Sequence, residues 1–345
     1  MRLGIRPDHP FERAALWAGL VPEAVTEVLW AQGLVRVVIT ALELGVFDAL
    51  AHGPATVQEV ADMTGTSPQG LGPLLAALNG FDYVRRRRGR YRLTRKGRRC
   101  VQGDPKSVVT TLRFVENLAF LTRHMEQAVR TGERDNFHHQ EVPEGFWERY
   151  LRGLAAMAGP VSREIAARVS LGPSCPRLLD VGGGHGMFSV AFCRRYANLQ
   201  AVVLDLPDAV QVGRTIVAEQ GYQDRITFVE GDLRTALWGD GYDVVLLFNV
   251  LHNLDAPACA QALKAARRAL RPGGTVVVFD GDHAGERKNL DTVAGFSELL
   301  FFVLSAAGLW SEERLRHWMD EAGFWRVRRR RLLTFPGSIF LTGTA

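Results

Sequence analysis

The run Leu178-Leu179-Asp180-Val181-Gly182-Gly183-Gly184-His185-Gly186-Met187-Phe188 reads as an apolar strand, a glycine-rich turn and the start of a helix. Glycines there let the chain turn tightly and let a ligand lie against bare backbone. On its own the run is also an ordinary strand-to-helix turn. Two later acids change its meaning. Asp205 closes the apolar run Val202-Val203-Leu204, 21 residues after Gly184, where a carboxylate can accept from both ribose hydroxyls. Asp232 follows Phe228-Val229-Glu230-Gly231, where a carboxylate can accept from an adenine amino group while Leu233 packs on the ring. Read alone, Asp205 could equally cap a helix begun by Leu206-Pro207. Together, turn, acid and acid at three successive strand ends predict a nucleotide-like ligand in one crevice of an open parallel sheet. A nicotinamide dinucleotide would use the first two features. GGGHG lacks the G-x-G-x-x-G register, however, and only one such crossover unit is evident.

The scaffold for these residues begins near residue 177, where the pattern becomes strand, loop, helix. Strands are expected at 177–181, 201–204, 226–229, 242–247 and 275–279, short and apolar on both faces as in a covered parallel sheet. Helices are expected at 188–196 and 256–270, the second ending at the turn Arg271-Pro272-Gly273-Gly274. Two closing strands surround Phe335-Pro336-Gly337. This is a doubly wound α/β domain, placed at residues 166–345.

Residues 1–165 read as mostly helical. Thr56 with Glu59 three residues on forms a capping box, Thr64-Gly65-Thr66-Ser67-Pro68 a turn, and a second helix runs through Leu71 to Leu78. Tyr83-Val84 and Tyr91-Arg92-Leu93 flank a basic turn at Gly89. Helix, turn, helix and a two-stranded wing make a winged-helix layout.

Ten cations and no acid lie between Arg85 and Arg99, so subtracting them from the net +5 leaves −5 elsewhere; the basic character belongs to one patch. A winged helix with such a wing is the electrostatic signature of a DNA-binding regulator. Residues 68–79, the helix that would read bases, offer Gln69 and Asn79 but no Arg or Lys, so nucleic acid is not the expected partner. The N-terminus has no signal-peptide pattern. The nearest approach to a membrane span, residues 294–310, is short and interrupted by Ser297, Glu298 and Ser305, which predicts a buried helix and no membrane partner. Cys100, Cys175, Cys193 and Cys259 show no CxxC pairing, which predicts reduced thiols, no metal and a cytoplasmic protein.

LLDVGGGHG, VVLDLP, EGDL, FNVLHNLD and RPGG, in that order, resemble the class I S-adenosylmethionine (SAM)-dependent methyltransferases. More narrowly, the chain from about residue 25 onward resembles small-molecule O-methyltransferases that join a winged-helix dimerisation domain to a Rossmann-like catalytic domain. Plant caffeate and acetylserotonin enzymes and bacterial natural-product tailoring enzymes belong to that group. The resemblance implies a homodimer formed through the N-terminal domain and a small aromatic or polyketide-like acceptor. SAM would be the cofactor and S-adenosylhomocysteine the product. It implies a SAM site of Asp180, Gly182, Gly184, Gly186, Asp205, Leu206, Asp232, Leu233, Phe248 and Asn249. His252 takes the place of the family's catalytic histidine, with Asp280 as the carboxylate that holds it. A phenol, with a pKa near 10, would need such a base.

Three positions depart from the family pattern. Asn253 replaces the acid after the histidine, Phe248 stands where plant relatives often carry lysine, and Leu309 in Ala307-Gly308-Leu309-Trp310 replaces a second catalytic glutamate. These departures leave C- or N-methylation by the same architecture as the alternative. The acceptor pocket is expected from Phe120, Phe146, Tyr150, Met157, Phe296, Leu299, Leu300 and Val303, although aromatic and Met residues at helical spacing also suit a plain core.

Overall fold

A computed structural model describes residues 7, 9–134, 136–171, 176–283, 292–305 and 308–345. Cys175, Ala307 and residues 1–6 and 8 of the N-terminal stretch read above lie outside the described residues. The chain forms two compact units, residues 1–116 and 117–345. The division expected from the sequence lies at 165/166. Residue 165 lies inside one continuous helix, and Leu118, Phe120 and Leu121 pack with Phe137 and Phe146 of the second unit.

The first unit contains α1 (Pro10–Trp17), α2 (Glu23–Glu43), α3 (Val46–Ala51), α4 (Val57–Thr64) and α5 (Pro68–Gly80), then β1 (Val84–Arg87), β2 (Arg90–Leu93) and the short α6 (Arg95–Arg98). The capping box forms as the spacing predicts: Glu59 N–H donates to Thr56 Oγ1 (3.2 Å) and Thr56 N–H to Glu59 Oε2 (2.7 Å). Leu71, Leu75 and Leu78, spaced along one face of α5, are buried against Val38, Phe47 and Val60. The wing pairs Val84 with Leu93 and Arg86 with Tyr91. Asn79 Oδ1 accepts from Arg86 N–H (3.1 Å), so this candidate base-reading side chain is engaged by the wing. By length and composition α2, rather than residues 294–310, could cross a membrane. Its last turns are buried at Val38, Ile39, Ala41 and Leu42, whereas Val25, Val28, Leu29 and Trp30 are exposed.

α7 (Val109–Leu121) crosses into the second unit, which continues with α8 (Met125–Thr131), a 3-10 turn at Phe137–His139 and the long α9 (Phe146–Arg168). The alternating region follows: β3 (Arg177–Val181), α10 (Met187–Arg195), β4 (Gln200–Asp205), α11 (Pro207–Glu219), β5 (Ile226–Glu230), β6 (Tyr242–Phe248), a 3-10 turn at Leu251–Asn253, α12 (Ala256–Ala269) and β7 (Leu270–Gly281). α13 (Thr292–Leu304), α14 (Glu312–Glu321), β8 (Trp325–Arg329) and β9 (Ser338–Thr344) complete it. The sheet order is β5-β4-β3-β6-β7-β9-β8; β3 to β7 are parallel and β9 runs antiparallel to both neighbours. The strand order reverses beside β3, and the crevice outside the carboxyl ends of β3 and β6 is where such sheets bind ligands. Apolar side chains fill both faces: Leu178, Val203, Val244 and Val277 on one, and Leu179, Leu204, Val245 and Val276 on the other. β7 begins five residues before the expected 275, because Arg271-Pro272-Gly273-Gly274 stays within the strand.

Candidate active site

The glycine turn leaves β3 with positive φ at Gly182, Gly184 and Gly186 (+68°, +44° and +69°). Gly186 caps α10, and a Cβ there would meet Val217 Cγ2 at 2.6 Å and Phe228 Cζ at 3.2 Å, so conformation and space both require glycine. Gly213 on α11, which sequence reading passed over, holds the turn from the other side. A Cβ at that position would lie 2.2 Å from the Gly184 carbonyl oxygen. No local pattern marks Gly213, because its role is a contact across the fold.

Asp205 ends β4 as expected. Its Oδ2 accepts from Gly184 N–H and its Oδ1 from Leu206 N–H, both at 2.7 Å. Burial lifts its pKa to about 6, against the pull of those two donors. A carboxylate has about four lone-pair sites, so two remain for ribose hydroxyls. Leu206 caps α11 at the edge of the same crevice. Asp232 lies two residues beyond β5, which ends at Glu230. It is ion-paired to Arg234 (2.5 Å), whose hydrogen bonds hold its pKa below the usual carboxylate range. Arg234 also donates to His139 Nε2 (2.9 Å). Leu233 is half-buried beside Asp232.

Two residues expected at the cofactor, Asp180 and Phe248, are buried. Asp180 is fully enclosed beneath the turn, where a Cβ on Gly183 would strike its carboxyl carbon at 2.6 Å. Ser189 Oγ donates to its Oδ2 (2.7 Å), its Oδ1 has no partner among the described residues, and burial pushes its pKa to about 7. Phe248 is buried edge-on against Phe188 (ring centroids 4.8 Å) and Phe279 (5.8 Å), because β6 is central and this face is core. Asn249, one residue on, is exposed in the left-handed conformation (φ +50°) that asparagine tolerates. Half-buried Gly182 of the turn, the Asp205 and Asp232 acceptors and exposed Asn249 at neighbouring strand ends suit the donor set of an adenosine.

Across the crevice, His252 and Asp280 form a buried pair. His252 Nδ1 lies 2.7 Å from Asp280 Oδ1, and His252 N–H donates to Oδ2 (3.2 Å). Gly281 N–H adds a third bond to Oδ1 (2.8 Å). A carboxylate only accepts, so Nδ1 is the donor and, in the neutral ring, Nε2 keeps a lone pair. Gly308 N–H donates to the His252 carbonyl (3.1 Å) and Trp310 Nε1 to that of Leu251 (3.0 Å). Leu309 fills the space beside Gly281, and the Phe301 ring lies 4.2 Å from the imidazole. The missing second carboxylate is thus replaced by an apolar wall.

Phe120, Phe146, Tyr150, Leu299, Leu300 and Val303 pack in one cluster with Phe137, Trp147 and Phe302, which the sequence reading missed. Phe146 and Val303 are enclosed, and Tyr150 stacks on Phe146 (5.6 Å, 11°). Burial and then the Asp205 charge raise the Tyr150 phenol above its ordinary range. Met157 and Phe296 do not join the cluster. They are 44% and 47% exposed, because α9 and α13 turn those faces outward. His138, also missed, is half-buried against Phe137 (3.9 Å) and near Trp147 (6.0 Å).

A family profile for the O-methyltransferase domain matches residues 122–325, and one for the O-methyltransferase dimerisation domain matches residues 33–103. The chain belongs to the O-methyltransferase family. It is a SAM-dependent O-methyltransferase with the family's N-terminal dimerisation domain. The chain is similar to 3-hydroxy-5-methyl-1-naphthoate 3-O-methyltransferase of Streptomyces sahachiroi, 28% identical and covering 92% of this chain and 93% of the relative. It is also similar to 3-amino-4-hydroxybenzoate 4-O-methyltransferase of Streptomyces cremeus, 29% identical over 84% of this chain and 81% of the relative. Human N-acetylserotonin methyltransferase, solved in complex with SAM, shares the fold with a TM-score of 0.77 at 21% identity, covering 99% of both chains.

Proposed function

We propose that this O-methyltransferase acts on a hydroxyl of a small aromatic secondary metabolite, with His252 as general base. The buried His252–Asp280 pair beside the aromatic cluster carries the reading. Nε2 takes the hydroxyl proton as the oxygen becomes nucleophilic, and Asp280 steadies the resulting imidazolium and fixes its tautomer. Bound SAM supplies an electrophilic methyl group. Asp205 would hold its ribose, Asp232 its adenine and the glycine turn its amino-acid end. Flat apolar walls hold the acceptor ring so that the reacting oxygen lies in line, where alignment supplies much of the rate. The two Streptomyces relatives, named for hydroxylated aromatic acceptors, support this acceptor class.

We expect two copies to pair through the dimerisation domain matched at residues 33–103; Phe11, Trp17, Leu29 and Trp30 on α1 and α2, which precede it, are exposed. Cys100, Cys193 and Cys259 are buried and unpaired, which suits the cytoplasm. Incubation with isotopically labelled SAM and a panel of phenols, read by NMR of the products, should place the label on oxygen. A label on ring carbon or nitrogen would overturn the reading.

A further inference from the structure

His138 stands on the Phe137–His139 turn, far in sequence from the His252–Asp280 pair, and its ring packs on Phe137 (3.9 Å) and near Trp147 (6.0 Å) in the aromatic cluster that α13 also enters. Phe301 of α13 contacts the His252 ring (4.2 Å), the Arg134 guanidinium lies over Phe302 (4.8 Å), and Phe137 packs in one cluster with Val303 and Leu304. The next residue, His139, is held by Arg234 and through it by Asp232 on the cofactor side. The turn is therefore fixed from two directions.

The tautomer of His138 follows from its partners. Asn136 Oδ1 accepts from the His138 backbone N–H (3.2 Å), which fixes the amide with its oxygen toward the ring. His138 Nδ1 lies 3.2 Å from that same oxygen, so Nδ1 is the donor and Nε2 holds the lone pair. Burial above all, then the charges of His252 and His139, hold its pKa down to about 3, so the ring is neutral at physiological pH. His252, held by Asp280, presents Nε2 in the same way. The acceptor side thus carries two imidazoles, each with its proton committed to the protein and an acceptor nitrogen left over.

We propose that His138 Nε2 is a second recognition point, which accepts a hydrogen bond from a hydroxyl or amino group other than the one methylated. Favoured acceptors are then aromatic rings with at least two hydrogen-bond donors, one delivered to His252 and one to His138. An acceptor lacking the second donor leaves a half-buried nitrogen unsatisfied, and sites built to hydrogen-bond a substrate group discriminate strongly against analogues without it. His138 is a positioning and specificity residue here, and the proposal rests on the O-methylation reading above.

The test compares 2-naphthol with its 2,3-, 2,6- and 2,7-dihydroxy analogues in the full-length protein with SAM. The wild type should favour at least one diol over 2-naphthol in kcat/KM by about 10- to 100-fold. His138→Leu should collapse that ratio toward one, and His138→Gln, which keeps an acceptor oxygen, should restore part of it. Binding of S-adenosylhomocysteine reports whether each variant is folded. A wild-type ratio near one for every diol, or a preference that survives in His138→Leu, would overturn the proposal while leaving O-methylation intact. A methyl group found on ring carbon would instead remove the reading beneath it.

Discussion

The two sides of the crevice are built by different means. On the cofactor side, position comes from backbone: the glycine turn, Asp205 and Asn249 sit at carboxyl ends of neighbouring strands, tied by main-chain donors such as Gly184 N–H. On the acceptor side, position comes from side chains on α7, α9, α13 and two 3-10 turns, gathered from residues about 120 to 304. The difference teaches where each function resides. The cofactor side can recur wherever the strand ends recur, whereas the acceptor side can change with a few substitutions on helices and turns.

Asp280→Asn should have the largest effect, and on the acceptor side alone. Each oxygen of Asp280 already faces a donor, His252 Nδ1 and Gly281 N–H at Oδ1 and His252 N–H at Oδ2. An amide NH2 at either place meets an N–H. Turnover should fall by about 10²- to 10⁴-fold with SAM affinity little changed. Loss of SAM affinity in step with turnover would erase the distinction between the two sides. Asp205→Ala should do the reverse. Calorimetry should show SAM binding weakened by about 10- to 100-fold, as expected when a charged hydrogen-bond acceptor is lost. Unchanged affinity would sink the ribose assignment.

The smallest expected effect lies beneath the turn. Asp180 is raised to about 7 from an ordinary 3.8, so between these values the folded state keeps a proton that the unfolded chain releases. Stability therefore falls as pH rises through that window. Asp180→Asn cannot ionise, so its Tm relative to wild type, measured without cofactor, should improve from about pH 5 to about pH 8. A gap independent of pH would show that Asp180 is ionised in the fold.

The same contrast explains what the sequence disclosed. Strand 177–181, the glycine turn, Asp205 and the capping box at Thr56 were legible because each obeys a local rule of period, turn chemistry or capping. Asp280 was placed opposite His252 by family resemblance, and the 2.7 Å contact gives that placement a geometry. The burial of Phe248 against Phe188 was not legible, because position along β6 does not say which face is core. Met157 and Phe296 fall outside the cluster, because helical spacing identifies a face without saying what it meets. His138 and Gly213 went unseen because each matters only through residues remote in the chain. The division at 116/117 was hidden because helices on both sides of it read alike.

The central claim is that His252 and Asp280 act as one base. A double-mutant cycle of His252→Ala and Asp280→Asn, with turnover measured under saturating SAM, tests it most directly. His252→Ala should abolish most turnover, and adding Asp280→Asn should cost nothing further. Independent, multiplying losses, or a His252→Ala enzyme near wild-type turnover, would contradict it.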